Sequence, residues 1–462
     1  MTTFGPTPPN TATRGDLSRQ TARALARRIR RGEVTASEAL EAHLKRIARW
    51  NGALNAVVSL DVERARQKAR AADAAQRRGE TLGPLHGVPL TLKDGNDVAG
   101  LRTSLGSPEL DRAASEDGTV AARLQAAGAI IVGHTNVPPM LADFQTANPI
   151  FGRTCNPWDL ARTAGGSSGG AAAAVAAGMT PLEIGSDLAG SIRLPAHFCG
   201  VYALKPTEHR VPVTGFFRPP AGTPPSVRIM TTLGPIARDL GDVELALRIV
   251  AGPDGFDTDV PPVPLPAGRR RPLEQLRLAV APSLPGLPVA GVIRRRVEGV
   301  AAAAVNAGAR VEERLPTVDW ESLHALFAHL LTTITGVFAG GGPGDETPTL
   351  AEYLTALAQR DGLIGLWERF FEDVDVLVLP AAMTSAFRHC ELGAPIAVDG
   401  DSMSYWSLPG LLTFCNLTGM PGLVVPAGLD EQGLPISLQF VGPRWSEIRL
   451  LDIAREFERS GI

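Results

Sequence analysis

Between Arg162 and Arg193 the chain reads RTAGGSSGGAAAAVAAGMTPLEIGSDLAGSIR, two serine-bearing glycine segments on either side of a run of small residues. This stretch constrains the fold more than any other. The first segment, Gly165-Gly166-Ser167-Ser168-Gly169-Gly170, lets the backbone take positive φ angles and lets a second segment or a ligand come close. Ala171 to Met179 is almost all alanine, which predicts a helix that packs tightly through small side chains and ends near Gly178. Pro181-Leu182-Glu183-Ile184 then reads as a short strand emptying into a turn over Gly185 to Ser191. Two hydroxyls carried on such turns point to one active site.

Consecutive backbone N–H groups in a tight turn can converge on a developing oxyanion, and those of Leu188, Ala189, Gly190 and Ser191 are the candidates. A serine hydroxyl is a poor nucleophile until a neighbouring base takes its proton. The histidines offer no motif: His86 falls in a Gly/Pro-flanked turn, His134 in a polar loop, and His43, His197, His209, His324, His329 and His389 are scattered. The chain has four lysines, and three have ordinary settings. Lys45 and Lys68 lie on amphipathic helical patterns, and Lys205 ends a short apolar run before Pro206. Lys93 instead closes the strand-like run Val88-Pro89-Leu90-Thr91-Leu92, directly before an Asp94-Gly95 turn. Burial there would lower its pKa. At the usual lysine pKa of roughly 10.4, only about one lysine in 2,500 is neutral at pH 7.

LHGVPLTLKD, RTAGGSSGG, GSDLAGSIRLPAHFCGVYALKPT and GLPISLQFVG, in that order, resemble the amidase signature family. AGAIIVGHTN, FGRTCNPW, GPIARDLGD and NLTGMPGLVVPAG extend the resemblance over nearly the whole chain. It implies an α/β fold: one large domain over 1–462 with a mixed central sheet flanked by helices. Within it, 1–80 would be an N-terminal helical segment, 81–252 the signature core, 320–371 a helical insertion shaping the pocket, and 372–462 the C-terminal part of the core. The resemblance makes Ser191 the nucleophile, Lys93 the base and Ser167 the bridging serine behind a cis peptide bond. Ser167 precedes Ser191 by the family's spacing of 24 positions, which leaves Ser168 a supporting hydroxyl. Asp187 and Arg193 are read as an ion pair bracing the nucleophile turn.

The implied chemistry is hydrolysis of a linear amide, anilide or carbamate through an acyl-enzyme, without metal or organic cofactor, in an aryl-amidase or urethanase type of member. Phe144, Gln145, Phe216, Phe217 and Trp406 are the expected pocket residues. Three positions depart from the family's usual pattern: Ala189 stands for a glycine, Ala164 for a proline and Pro139 for an acidic residue. None removes a group of the relay, so they bear on substrate preference. Three other readings stay open: the glutaminase subunit of a tRNA-dependent amidotransferase, an α/β-hydrolase using GGSSGG as a G-x-S-x-G elbow, and a silent anion-binding protein. The elbow needs a strand just upstream, where Asn156-Pro157-Trp158-Asp159 reads as a turn. Phosphate binding by the loop lacks a following Gly-Lys-Ser/Thr.

A net charge of −3 offers no attraction for nucleic acid or anionic membranes. The expected partner is a small-molecule amide or carbamate, in a monomer or homodimer. Cys155, Cys199, Cys390 and Cys415 form no C-x-x-C pair, and MTTFGPTPPNTATRGD has no apolar core, so a cytoplasmic location is the expectation. Periodicity predicts two helices within Asp16 to Asn51, split at Gly32 to Ala36, and a third from about Asp61 to Arg78. Pro261 to Pro272 is a connector, followed by a strand at LRLAVAP, a helix over Val292 to Ala307 and a strand over Arg310 to Leu315. Thr214 to Met230 and Trp320 to Phe371, the latter interrupted at Gly340 to Gly344, read as segments shaping the pocket, either as a lid beside the site or as surface insertions with ordinary packing roles.

Overall fold

The computed structural model describes residues 16–80, 82–218, 227–338 and 348–462. The glycine run Gly340 to Gly344, the segment before residue 16 and part of the Thr214 to Met230 stretch lie outside them.

The N-terminal helices form where their patterning places them. Thr21 caps Ala22–Arg30. Thr35 and Glu38 close a reciprocal capping box at the start of Ala36–Leu54, and Asp61 caps Val62–Arg77. The first two bury stripes of alanine, leucine and isoleucine, and the third buries Ala65, Ala69 and Asp73. The second and third pack on a small sheet whose central strand, Ile130–Thr135, runs antiparallel to Val57–Leu60 and parallel to Pro89–Lys93, and the first packs on the helix Leu240–Val250. His134 therefore sits in a buried strand, not in a polar loop; the apolar Ile130-Ile131-Val132 before it extends the strand through the polar residues.

The larger sheet has eight strands in the order Arg310–Glu313, Arg277–Val280, Val376–Pro380, Pro435–Val441, Gly422–Leu429, Tyr202–Lys205, Thr232–Ala237 and Leu182–Asp187. The first three pair parallel and the remaining pairs are antiparallel. Its strands come from residues 182 to 441, so the connector after Pro261 divides no sheet. The helix predicted over Val292 to Ala307 spans Gly291–Asn306. The interrupted segment forms Trp320–Phe338 and Leu350–Phe370.

Two boundaries differ from the expectation. The alanine helix runs Gly169–Ala177, so the glycine loop supplies its first turn, and Gly178 caps it at φ 76°. Gly185, Ser186 and Asp187 belong to the strand Leu182–Asp187, not to the turn after it, because they pair with Gly234, Leu233 and Thr232 of the neighbouring strand. The turn proper is Leu188 to Ser191. The alanine helix lies against this strand and against the helix Arg193–Cys199, with Ala171 to Ala174 fully buried.

Candidate active site

Lys93 ends its strand with no exposed surface, in a position where Pro89–Lys93 packs beside Leu182–Asp187. Its Nζ lies 2.7 Å from Ser167 Oγ, 2.9 Å from Ser168 Oγ and 2.8 Å from Ser186 Oγ. Burial brings the Lys93 pKa down to about 7, against the opposing pull of Asp187, Glu183 and Asp94. A neutral amine has two N–H bonds and one lone pair, so three hydroxyls around it are matched when one of them donates to nitrogen. The following turn is held by Asp94, whose carboxylate accepts from Thr103 Oγ1 and from the Ser104 N–H and hydroxyl.

The Gly166–Ser167 peptide bond is cis. Gly166 has room for no side chain, since a Cβ there would lie 2.4 Å from the Asp143 carbonyl oxygen. Ser168 donates its backbone N–H to the Ser191 carbonyl at 3.1 Å, which ties the glycine loop to the turn that carries Ser191. Ser167 and Ser191 line one cavity.

Asp187 and Arg193 are both fully buried and bonded side on, at 3.0 Å from Nε to Oδ2 and 2.9 Å from Nη2 to Oδ1. Burial pushes the Asp187 carboxyl up, but the Arg193 charge and its hydrogen bonds prevail and hold it well below the usual carboxylate range. Arg193 also reaches the Leu412 carbonyl, Gln439 and Asn416, carrying the brace into the C-terminal part of the sheet. Asp187 accepts the Gly190 and Ile192 N–H groups. Of the four amides expected to face an oxyanion, Gly190 is thus engaged by Asp187 inside the turn. Those of Leu188, Ala189 and Ser191 have no acceptor among the described residues.

The cavity measures about 890 Å³ and is walled largely by apolar groups. Phe144, Phe216, Phe217 and Trp406 line it. Gln145 does not: its amide is turned away, donating to the Cys390 carbonyl and accepting the Cys390 N–H. Among the described residues of the 320–371 segment, the helix Trp320–Phe338 reaches the cavity, through His324, Phe327, Ala328, Leu331 and Thr335, and the helix Leu350–Phe370 does not. Sequence reasoning missed Ser186, Asp143, His324 and Thr413. Ser186 sits within the recognised GSD run, but its contact with Lys93 follows from strand placement that the local pattern misassigned to a turn. His324 lies 3.3 Å from Thr413 Oγ1. His43 and His197 are buried and pushed down to about 4, so they are neutral core groups. Lys205 is as buried as Lys93, but its Nζ is spent on the carbonyls of Met420 and Pro206. No helix among the described residues is long and apolar enough to cross a membrane, and no group of three metal-capable side chains occurs among them.

The family model described as Amidase matches residues 38–340 and 344–451. The chain belongs to the amidase signature family. It is 36% identical to a glutamyl-tRNA(Gln) amidotransferase component of Moorella thermoacetica, over 95% of this chain and 96% of that protein. It is 34% identical to indoleacetamide hydrolase of Bradyrhizobium diazoefficiens, over 94% of this chain and 85% of that one. The structure of a bacterial aryl acylamidase of the amidase signature family superposes with a TM-score of 0.80 at 25% identity, covering 96% of each chain. As an amidase signature protein, the chain is a carbon–nitrogen hydrolase with the family's mixed α/β fold.

Proposed function

We propose that this amidase signature enzyme hydrolyses a non-peptide amide, anilide or carbamate through an acyl-enzyme on Ser191, with Ser167 and Lys93 relaying the proton. The observation that carries the reading is the contact between a wholly buried Lys93 and Ser167, in the cavity that Ser191 also lines. The Lys93 lone pair takes the Ser167 proton while Ser167 takes that of Ser191, and Ser191 Oγ bonds to the substrate carbonyl carbon. The electron pair of the C=O bond moves to oxygen, opposite the amides of Leu188, Ala189 and Ser191. Collapse breaks the carbon–nitrogen bond, and Ser167 delivers a proton to the departing nitrogen as Lys93 returns one to Ser167. Water then releases the acid by the same relay. Ser168 and Ser186 hold Nζ in place, and Asp187 with Arg193 keeps the turn shaped.

The aromatic and aliphatic walls support an aryl amide or urethane as substrate, because such a cavity gains by excluding water from an apolar ligand. The test is intact mass after a serine-directed fluorophosphonate, on the parent and on Ser191→Ala and Ser167→Ala, followed by turnover of anilides and carbamates. A single adduct that requires Ser191 is expected. An adduct kept in Ser191→Ala and lost in Ser167→Ala would overturn the assignment.

A second reading, a glutaminase component of an amidotransferase, has the full-length likeness to the Moorella protein in its favour. Ammonia release from glutamine that a partner protein stimulates, without turnover of anilides, would establish it in place of the first.

A further inference from the structure

Asp143 lines the cavity beside Phe144 and has no task in the relay, although its carbonyl lies against Gly166, the residue that precedes Ser167. Its Oδ1 accepts the phenolic hydrogen of the fully buried Tyr405 and the Gln145 N–H at 3.0 Å. No arginine, lysine or histidine pairs with it among the described residues. The arginines of the same cavity are already taken: Arg228 by Asp259 at 2.5 Å, and Arg218 by Asp97 at 2.9 Å and Glu116 at 2.7 Å. Aromatic residues adjoin the carboxylate and its partner, since Phe144 follows Asp143 in the chain and Trp406 follows Tyr405. Phe144 meets Trp406 edge-on at 6.4 Å and Tyr405 at 5.9 Å, and Trp406 is more than half exposed.

A half-buried carboxylate without a counter-ion is costly, and burial raises this one above its usual range despite three hydrogen bonds. Aromatic faces beside it attract cations through their quadrupole.

From this arrangement we infer that Asp143, Phe144 and Trp406 form a subsite for a protonated amine, so that the preferred substrates are amides, anilides or carbamates carrying a second, basic nitrogen beyond the scissile bond. The inference rests on the hydrolytic reading for its substrate, but the subsite itself is a matter of binding. Asp143 is in this role a specificity residue and takes no part in the proton relay.

Binding is therefore measured by calorimetry on the Ser191→Ala protein at pH 7, with benzylammonium and the neutral, similarly shaped benzyl alcohol as probes. Benzylammonium is expected to bind about tenfold tighter or more, and adding Asp143→Asn should bring the two within about twofold. Equal binding of the two probes, no detectable binding of benzylammonium, or a preference that survives Asp143→Asn would overturn the subsite. Should Asp143→Asn melt before the assay temperature, Trp406→Leu replaces it. It should weaken benzylammonium more than benzyl alcohol, and equal weakening would count against the cage. Turnover by the parent of 4-(aminomethyl)acetanilide against 4-ethylacetanilide separates the two levels. An ammonium preference in binding with no turnover of either anilide would leave the subsite standing and remove anilides from the proposed substrates.

Discussion

A lysine becomes a base at neutral pH only when the protein withholds water from it, and Lys93, the proposed base, is placed in that way. It has no exposed surface and meets three hydroxyls in place of solvent. With its pKa brought down to about 7, the protonated form accumulates below that value and cannot accept a proton. The kcat/KM profile is therefore expected to rise with pH through about 7 and level off above it. Lys93→Ala should lose most activity at neutral pH and regain part of it at high pH, where hydroxide and the serines' own ionisation assist; equal activity at every pH would take Lys93 out of the relay. Beneath it Glu183, also fully buried, accepts the Thr91 hydroxyl at 2.7 Å, and burial raises its pKa to about 8. The folded state keeps this proton while the unfolded chain releases it near pH 4.5. The linkage thus favours folding fully at acid pH and loses that contribution as pH rises toward 8. Glu183→Gln should flatten this part of the stability–pH curve, as urea midpoints between pH 4 and 8 would reveal.

At the scale of elements, the site depends on how closely the alanine helix can approach its neighbours. A Cβ on Gly170 would lie 2.4 Å from the Asn136 nitrogen, 2.5 Å from its carbonyl oxygen and 2.9 Å from that of Ala56, all of them backbone atoms that cannot step aside. Gly170→Ala should accordingly cost roughly 1–3 kcal/mol in denaturant unfolding and misplace the serines of the preceding loop, lowering kcat more than KM. The helix Trp320–Phe338 contributes differently, by walling the cavity. Its register presents Ala328 near Leu331 and Phe327. Ala328→Trp fills space there, and kcat/KM for an aryl anilide should fall by about tenfold or more while that for acetamide changes within about twofold.

Across the whole molecule, the turn that carries Ser191 is tied to segments far apart in the chain. Lys93 arrives from the three-stranded sheet, Ser167 from the glycine loop, Ser191 from the edge of the eight-stranded sheet, and Arg193 reaches Gln439 near the C-terminal end of that sheet. Asp187→Asn would leave Arg193 buried with its charge uncompensated, at a cost of about 3–5 kcal/mol measurable by urea unfolding. Helix caps, the alanine helix and the strand ending at Lys93 were legible because the forces behind them act between residues close in sequence: a Thr or Asp side chain finds its own N–H groups, and small side chains favour helix. The ordered motifs likewise identified the family, and the resemblance supplied the residues proposed for its relay. The strand assignment of Ser186, the turning of Gln145 toward Cys390 and the carboxylate of Asp143, without a basic partner among the described residues, were not legible. Each is decided by which partner arrives from elsewhere in the chain, and a buried hydrogen bond or a missing counter-ion exists only once the tertiary structure has excluded water from that place.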